Sequence, residues 1–353
     1  MSRFFSPNLS ALKPYTPGEQ PRDMQYIKLN TNESPYPPAP SMASLIASEA
    51  EKLNLYSDPT AIVLHEAIAD YYNISADRVI ATNGSDEVLA FAINAFGSGK
   101  SLAFPDITYG FYPVYANLFG ISYTTIPLND DLAICVEDYA SIDSTVVIAN
   151  PNAQTGTYLP LSKIEELVSQ NPDRVVIVDE AYIDFGGESA VVLTDKYDNL
   201  LVVQTFSKSR NLAGARVGLA VGCADLIADL NRVKYSFNPY NINRMSMVAA
   251  ATAMKDVAYF TECTQKVIAT REYTAEELTK LGFTYPVSMA NFILAETDKM
   301  DGKTLYQALK SRGVLVRYLG DKRIKNSIRI TIGSQEQMET FIQITKEILE
   351  EQL

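Results

Sequence analysis

The sequence predicts an α/β fold with a large, mainly parallel sheet, followed by a small α+β domain. Three observations lead there. Short, continuous Val/Ile runs alternate with amphipathic segments: VVIAN (146–150), LSKIEELVSQ, VVIVDEA (175–181) and LLVVQTFSK (200–208). Runs with no polar alternation suit strands buried on both faces, which is the condition of a parallel sheet covered by helices. Polar residues gather directly after these runs, and in open α/β sheets ligands bind at the carboxyl ends of strands. At 353 residues and 47% apolar content, the chain is long enough for a large core and a second, smaller domain.

In chain order, residues 1–40 read as an N-terminal arm ending in the proline-rich SPYPPAPS (34–41), the densest breaker stretch. Residues 41–250 carry the alternating pattern and are expected to form the large, ligand-binding domain. From MSMVAAATAMKDV to REYTAEELTKLG the spacing predicts a long helical stretch that bridges to residues 251–353. There FILAE, VLVRY and SIRITIG read as strands and METFIQITKEILEEQL as a closing helix, giving the small domain.

Charge and composition exclude several classes. The net charge is −12 with no basic runs, so the footprint for nucleic acid or an anionic membrane is missing. An anionic substrate then requires a local cluster of Arg and Lys. Cys135, Cys223 and Cys263 stand singly, without CxxC spacing, which suggests reduced thiols rather than a disulfide framework or a zinc cage. His65 is the only histidine, so an HExxH metal site is excluded and no metal is expected; its place in VLHEAIADYY, a helical pattern, marks it as an ordinary helix-surface or packing residue. MSRFFSPNLS lacks the apolar core of a signal peptide and no run approaches a bilayer span, so a cytoplasmic location is expected.

The most informative segment is TFSKSRNLAGARVG (205–218). Lys208 follows a strand, flanked by Ser207 and Ser209, with Arg216 eight residues on. A lysine that attacks a carbonyl must lose its proton, which neighbouring cations and partial burial favour. In VVIVDEAYIDF, Asp179 closes a buried strand and Tyr182 follows. A buried carboxylate needs a partner, and a protonated pyridine nitrogen is one. ATNGSDEVLAFAINAF reads as strand, glycine turn and helix start, where the amides of Gly84, Ser85 and Asp86 suit a phosphate, although the same residues make a good generic helix cap. It matches neither GxGxxG nor the P-loop. Tyr109 in FPDITYGFY offers a stacking face. The asparagines of ANPNAQTGTY carry amides able to reach a phenolic oxygen, though turns favour them too.

Taken together, NGSDE, PDITYGFY, NPNAQTG, VDEAY and SKSRNLAGARVG, in that order, resemble the fold-type I pyridoxal-phosphate enzymes of the aspartate aminotransferase superfamily. With LNTNESPYPP, LYSDP, VLVRY and SIRITIG, the chain looks most like the histidinol-phosphate aminotransferases, from Leu29 to Gly333. The resemblance implies pyridoxal 5′-phosphate held as a Schiff base on Lys208, which also shuttles the proton. It implies Asp179 on the pyridine nitrogen, Tyr182 on the 3′-oxygen, and Tyr109 stacked on the ring. Ser85 and Asp86 through their amides, Ser207 and Arg216 would hold the phosphate, with Tyr56 arriving from the other subunit of a homodimer. Tyr15, Asn32, Arg317 and Arg329 would bind substrate, Arg329 taking a carboxylate in one half-reaction and a phosphate in the other.

Two departures stand out. The family pattern commonly reads NPNNPTG, whereas this chain reads NPNAQTG and places Ala153 at the functional asparagine. Either Asn152 reaches the 3′-oxygen or Tyr182 serves without it; Asn152 is the expectation. SKSRN adds Arg210 beside the lysine, with no assigned role. The expected activity is transamination between L-histidinol phosphate and 2-oxoglutarate in histidine biosynthesis. The alternatives are an aromatic amino acid aminotransferase and a decarboxylase of a phosphorylated amino acid. A cofactor-binding regulatory module is disfavoured because no basic helix-turn-helix pattern is present.

Overall fold

The computed structural model describes residues 2–10 and 12–351. The N-terminal segment contributes β1 (Ile27–Lys28). A seven-stranded sheet follows, made of β2 (Val79–Thr82), β3 (Ser101–Pro105), β4 (Ser122–Ile126), β5 (Thr145–Ala149), β6 (Val176–Asp179), β7 (Leu200–Thr205) and β8 (Gly218–Val221). Its strand order is β2-β8-β7-β6-β5-β3-β4. Strand β8 runs antiparallel to both neighbours, and the other pairs are parallel.

The Val/Ile runs form strands here because both faces of the sheet are covered. Val146, Ile148, Val176, Val178, Leu200 and Val202 enter one apolar cluster. Val147, Ala149, Ile177, Leu201 and Val203 enter another, on the opposite face. Successive side chains alternate between faces, so both sets must be apolar. At 0% exposure, Ile177 is worth about 1.5–3 kcal/mol of burial. The same alternation fixes where the chemistry emerges. Asp179 shares the face of Ile177, and its register partners are Ala149 and Val203.

The second cluster continues without interruption into the C-terminal part, through Phe292, Ile328, Ile330 and Phe341. There β9 (Phe283–Thr284), β10 (Phe292–Thr297), β12 (Arg317–Tyr318) and β13 (Ile328–Thr331) form a four-stranded sheet ordered β12-β13-β10-β9. Strand β11 (Val314–Leu315) instead pairs in parallel with β1. The arm is therefore stitched to the small sheet's side of the molecule.

The long helical stretch divides. Helix Arg244–Lys255 ends at Asp256, whose carboxylate accepts from the Tyr259 amide and starts helix Val257–Lys280. Position 250, the expected domain limit, lies inside the first of these helices. Ala249, Ala250, Ala253 and Met254 of that helix pack with the large sheet. Among the described residues, no helix is long and apolar enough to cross a membrane, and no group of three or more His, Cys, Asp or Glu is placed to hold a metal ion.

His65 is a packing residue that also satisfies one buried strand donor. Its Nε2 accepts the Ala81 amide at 3.1 Å. Burial, then the nearby Lys234 ammonium, pushes its pKa down to about 4. The unfolded chain takes up that proton near pH 6.5, so the stabilisation is complete at neutral pH and is lost as pH falls from about 6.5 to 4. Wild-type unfolding free energy should therefore drop more between pH 7 and 4 than that of His65→Gln, which keeps an acceptor without a titrating ring. The expected difference is on the order of 3 kcal/mol, read from urea midpoints across that range; parallel pH dependences would contradict the assignment.

Candidate active site

A cavity of about 570 Å³ opens at the carboxyl ends of β5, β6 and β7, roofed by the arm and the small sheet. Twelve residues singled out from the sequence line it: Tyr15, Asn32, Ser85, Asp86, Tyr109, Asp179, Tyr182, Ser207, Lys208, Arg216, Arg317 and Arg329. Gly84, Asn152 and Tyr56 do not; the Gly84 amide, expected to face a phosphate, instead donates to the Thr82 carbonyl at 2.9 Å.

At the floor, Asp179 is buried at 4% exposure. It accepts from the Tyr112 hydroxyl at 2.8 Å and the Ala181 amide at 3.3 Å, with no salt-bridge partner among the described residues. Burial raises its pKa to about 6, against the opposing pull of the Tyr112 bond. Lys208 sits in the turn after β7, and its Nζ donates to the Thr31 carbonyl at 3.1 Å. Desolvation, then the Arg329 charge, lowers its pKa to about 8. A buried carboxyl group with a raised pKa and a buried amine with a lowered one thus face one cavity.

Tyr182, beside them, accepts the Asn32 amide at 3.0 Å. Asn32 adopts φ 56°, the left-handed region that asparagine tolerates, and its Oδ1 accepts from the Thr331 hydroxyl. Its carbonyl accepts from Asn291 Nδ2, so three chain segments fix this one residue.

At the opposite end, the helix Ser85–Gly97 starts with no side-chain cap, leaving its first amides free for an anion. Arg216, at φ 53°, donates to Ser207 Oγ at 3.3 Å and pairs with Asp86 at 3.4 Å. The other Asp86 oxygen accepts from the Tyr109 hydroxyl at 2.9 Å. Two glycines make this approach possible. A Cβ on Gly84, at φ 85°, would lie 2.7 Å from Arg216 Nη2, and one on Gly218 would lie 2.2 Å from the Ser85 nitrogen.

On the roof, Tyr15 stacks on Phe111 with centroids 4.2 Å apart, beside Tyr109. Arg317 and Arg329 are register partners on neighbouring strands. Arg317 spends its terminal nitrogens on the carbonyls of Thr16 and Pro17, which holds the arm over the cavity. Arg329 Nη1 donates to Ala153 O and Gln154 Oε1.

Asn152 corrects the expectation placed on it. It is 1% exposed; its Nδ2 donates to the Ile107 carbonyl and its Oδ1 accepts the amides of Gln154 and Thr155. These bonds hold the turn after β5 and tie it to the loop after β3, and the amide bonded to Tyr182 is that of Asn32. Tyr56 is 79% exposed and stacks on Tyr240 at 4.6 Å, outside its own chain's cavity. Arg210 is a buried strut: its guanidinium lies 3.6 Å over Phe260 and 4.7 Å over Tyr71, and Nη1 donates to Ala253 O near a helix C-terminus. Sequence reasoning does not reach Tyr112, Thr331 or Asn291. Tyr112 reads as core within FYPVY, and nothing local marks the other two.

The chain matches the family described as aminotransferase class I and II over residues 24–344. It is 50% identical to the histidinol-phosphate aminotransferase of Brachyspira hyodysenteriae, covering 99% of each chain. It is 53% identical to that of a Marinomonas species, over 96% of this chain and 97% of the other. The chain belongs to the histidinol-phosphate aminotransferase family. The structure of the Sinorhizobium meliloti histidinol-phosphate aminotransferase in complex with pyridoxal 5′-phosphate shares the fold, with a TM-score of 0.87 and 20% identity over 100% of this chain and 99% of that one.

Pyridoxal 5′-phosphate, the cofactor of the histidinol-phosphate aminotransferases, fits the residues present. Asp179 is a buried carboxylate without a cation, Lys208 a cavity amine bonded to a carbonyl alone, and the uncapped helix with Arg216 an anion cradle. If Lys208 carries the depressed pKa, the rate of cofactor uptake by the cofactor-free protein should rise with pH and level off above about 8. A rate still rising toward pH 10.5 would refute it, with absorbance at the yellow band as the measurement.

Proposed function

We propose that this chain transfers the amino group of L-histidinol phosphate to 2-oxoglutarate, forming imidazole-acetol phosphate and L-glutamate in histidine biosynthesis. The observation that carries the reading is the convergence of Lys208, Asp179 and Arg329 on one cavity in a chain of this family. When bound, pyridoxal 5′-phosphate supplies an electron-withdrawing ring that stabilises negative charge developing at the substrate's Cα.

The chain's own residues do the rest. Asp179 provides a buried negative charge for a protonated ring nitrogen, and such a cation would restore its carboxylate from a pKa raised to about 6. Tyr182 accepts from Asn32, which leaves its own hydroxyl hydrogen to donate toward the ring oxygen. Lys208, its pKa lowered to about 8 by burial, holds and moves the proton taken from substrate Cα. The amides of Ser85 and Asp86, with Ser207 and Arg216, hold the cofactor phosphate, and Tyr109 covers the ring. Tyr15, Asn32, Arg317 and Arg329 form the substrate end. There Arg329 answers the need for a local cation in a protein of net charge −12.

The enzyme works as a cytoplasmic homodimer, with Tyr56 of each subunit reaching the cofactor phosphate of the other. Tyr56 lies beside exposed Leu53 and Leu55 and stacks on Tyr240, an apolar patch that a second copy would cover.

Borohydride reduction of the holoenzyme should label the Lys208 peptide, and Lys208→Ala should lose about 10²–10⁴-fold in turnover. A reduced adduct on another lysine would overturn the assignment. In steady-state assays, kcat/KM should be higher for histidinol phosphate than for phenylalanine; the reverse order would replace the proposed function by an aromatic aminotransferase.

A further inference from the structure

Gln154 stands where the resembled NPNNPTG pattern has proline, and its side chain lines the cavity. Its Oε1 accepts from Arg329 Nη1 at 2.9 Å, and its Nε2 donates to the Thr108 carbonyl at 3.2 Å. Its backbone N–H, which proline would lack, donates to Asn152 Oδ1 at 2.9 Å. The neighbouring Ala153 carbonyl accepts from the same Arg329 nitrogen at 2.8 Å. A terminal guanidinium nitrogen carries two hydrogens, so these two acceptors use Nη1 completely. What remains is the opposite edge: Arg329 Nε is buried with no acceptor, and Nη2 makes no hydrogen bond among the described residues. An Nε/Nη2 edge is a two-pronged donor matched in spacing to a carboxylate or to two oxygens of a phosphate monoester.

We infer that Gln154 is a positioning residue that sets the anion-binding edge of Arg329, holding Nη1 so that Nε and Nη2 face the incoming carboxylate or phosphate. This rests on the reading of Arg329 as the substrate's anion site. Gln154 acts at both ends of its amide. It fixes the guanidinium plane and ties that plane to the carbonyl preceding Tyr109, the ring-covering residue. A dicarboxylate in one half-reaction and a phosphate monoester in the other then meet the same preset edge. The acceptor is neutral, so the arginine is oriented without its charge being cancelled, whereas a glutamate at 154 would supply the bond and cancel the charge. The remaining bond to Ala153 O fixes one direction of Nη1 but leaves the plane free to turn, because one hydrogen bond defines a point and two define an orientation.

The holoenzyme tests this with Gln154→Leu, which removes the acceptor at nearly constant size, and Gln154→Glu, which keeps it and adds charge. For Gln154→Leu, KM for both 2-oxoglutarate and histidinol phosphate should rise about tenfold, with kcat within about twofold and an unchanged visible spectrum. Calorimetric binding of succinate, a dicarboxylate that cannot react, should weaken by a similar factor. Gln154→Glu should raise both KM values at least as much, so it decides the matter even if the leucine variant is unstable. Unchanged KM values and succinate affinity in the folded variants would overturn the inference, as would losses confined to thermal midpoint and cofactor retention. Arg329→Lys separates the two readings. If it raises both KM values while the Gln154 variants do not, the role of Gln154 fails and that of Arg329 stands; if it too leaves them unchanged, the anion site itself is misplaced.

Discussion

A sheet buried on both faces admits polar chemistry only where its strands end. Val146 through Ile148, Val176 through Val178 and Leu200 through Val203 leave no position along their length at which a charge could be solvated. The backbone alternation then selects which residue at the margin faces which layer, and Asp179 falls on the face that continues into the small sheet. The site, its depth and the side from which substrate arrives all follow from that burial.

The cavity is a balance of charges withheld from one another. Asp179 has hydroxyl and amide donors but no cation, and its pKa rises; Lys208 has a carbonyl but no carboxylate within bonding distance, and its pKa falls. Each shift has burial as its largest cause, and each is reversed by a ligand bearing the missing charge. Arg216 and Asp86 do pair, at the open end, where a phosphate would compete with the carboxylate for the guanidinium. The arrangement costs stability and is held by the packed core around it, as expected of a site prepared for a bound group.

The neighbours of these groups come from distant parts of the chain. Tyr182 in the large domain is held by Asn32 of the arm, itself fixed by Thr331 and Asn291 of the small sheet. Arg329 on β13 is held by the loop after β5. Substrate end and cofactor end are thus joined through hydrogen bonds across the molecule rather than along one segment. The arm adds a further tie, since Arg317 grips its Thr16 and Pro17 carbonyls and Glu19 bonds Tyr306 and Lys310.

Periodicity and terminal polarity make the large sheet, Lys208, Asp179 and the Gly84–Asp86 turn legible in the sequence, because strand burial and helix starts are local properties that a dozen residues express. The family resemblance likewise lies in contiguous motifs. Asn152 departs from its expected role because a motif shows which amides are near a strand end but not which backbone groups have already claimed them. Arg210 and Arg317 are opaque for the same reason: Phe260 with Tyr71, and Thr16 with Pro17, lie tens to hundreds of residues away. By itself the sequence determined the layers of the fold, the chemical groups at the strand ends and the family. Only the tertiary structure decided which partner each polar group takes, since hydrogen-bonding capacity is finite and its use is settled by packing between segments remote in the chain.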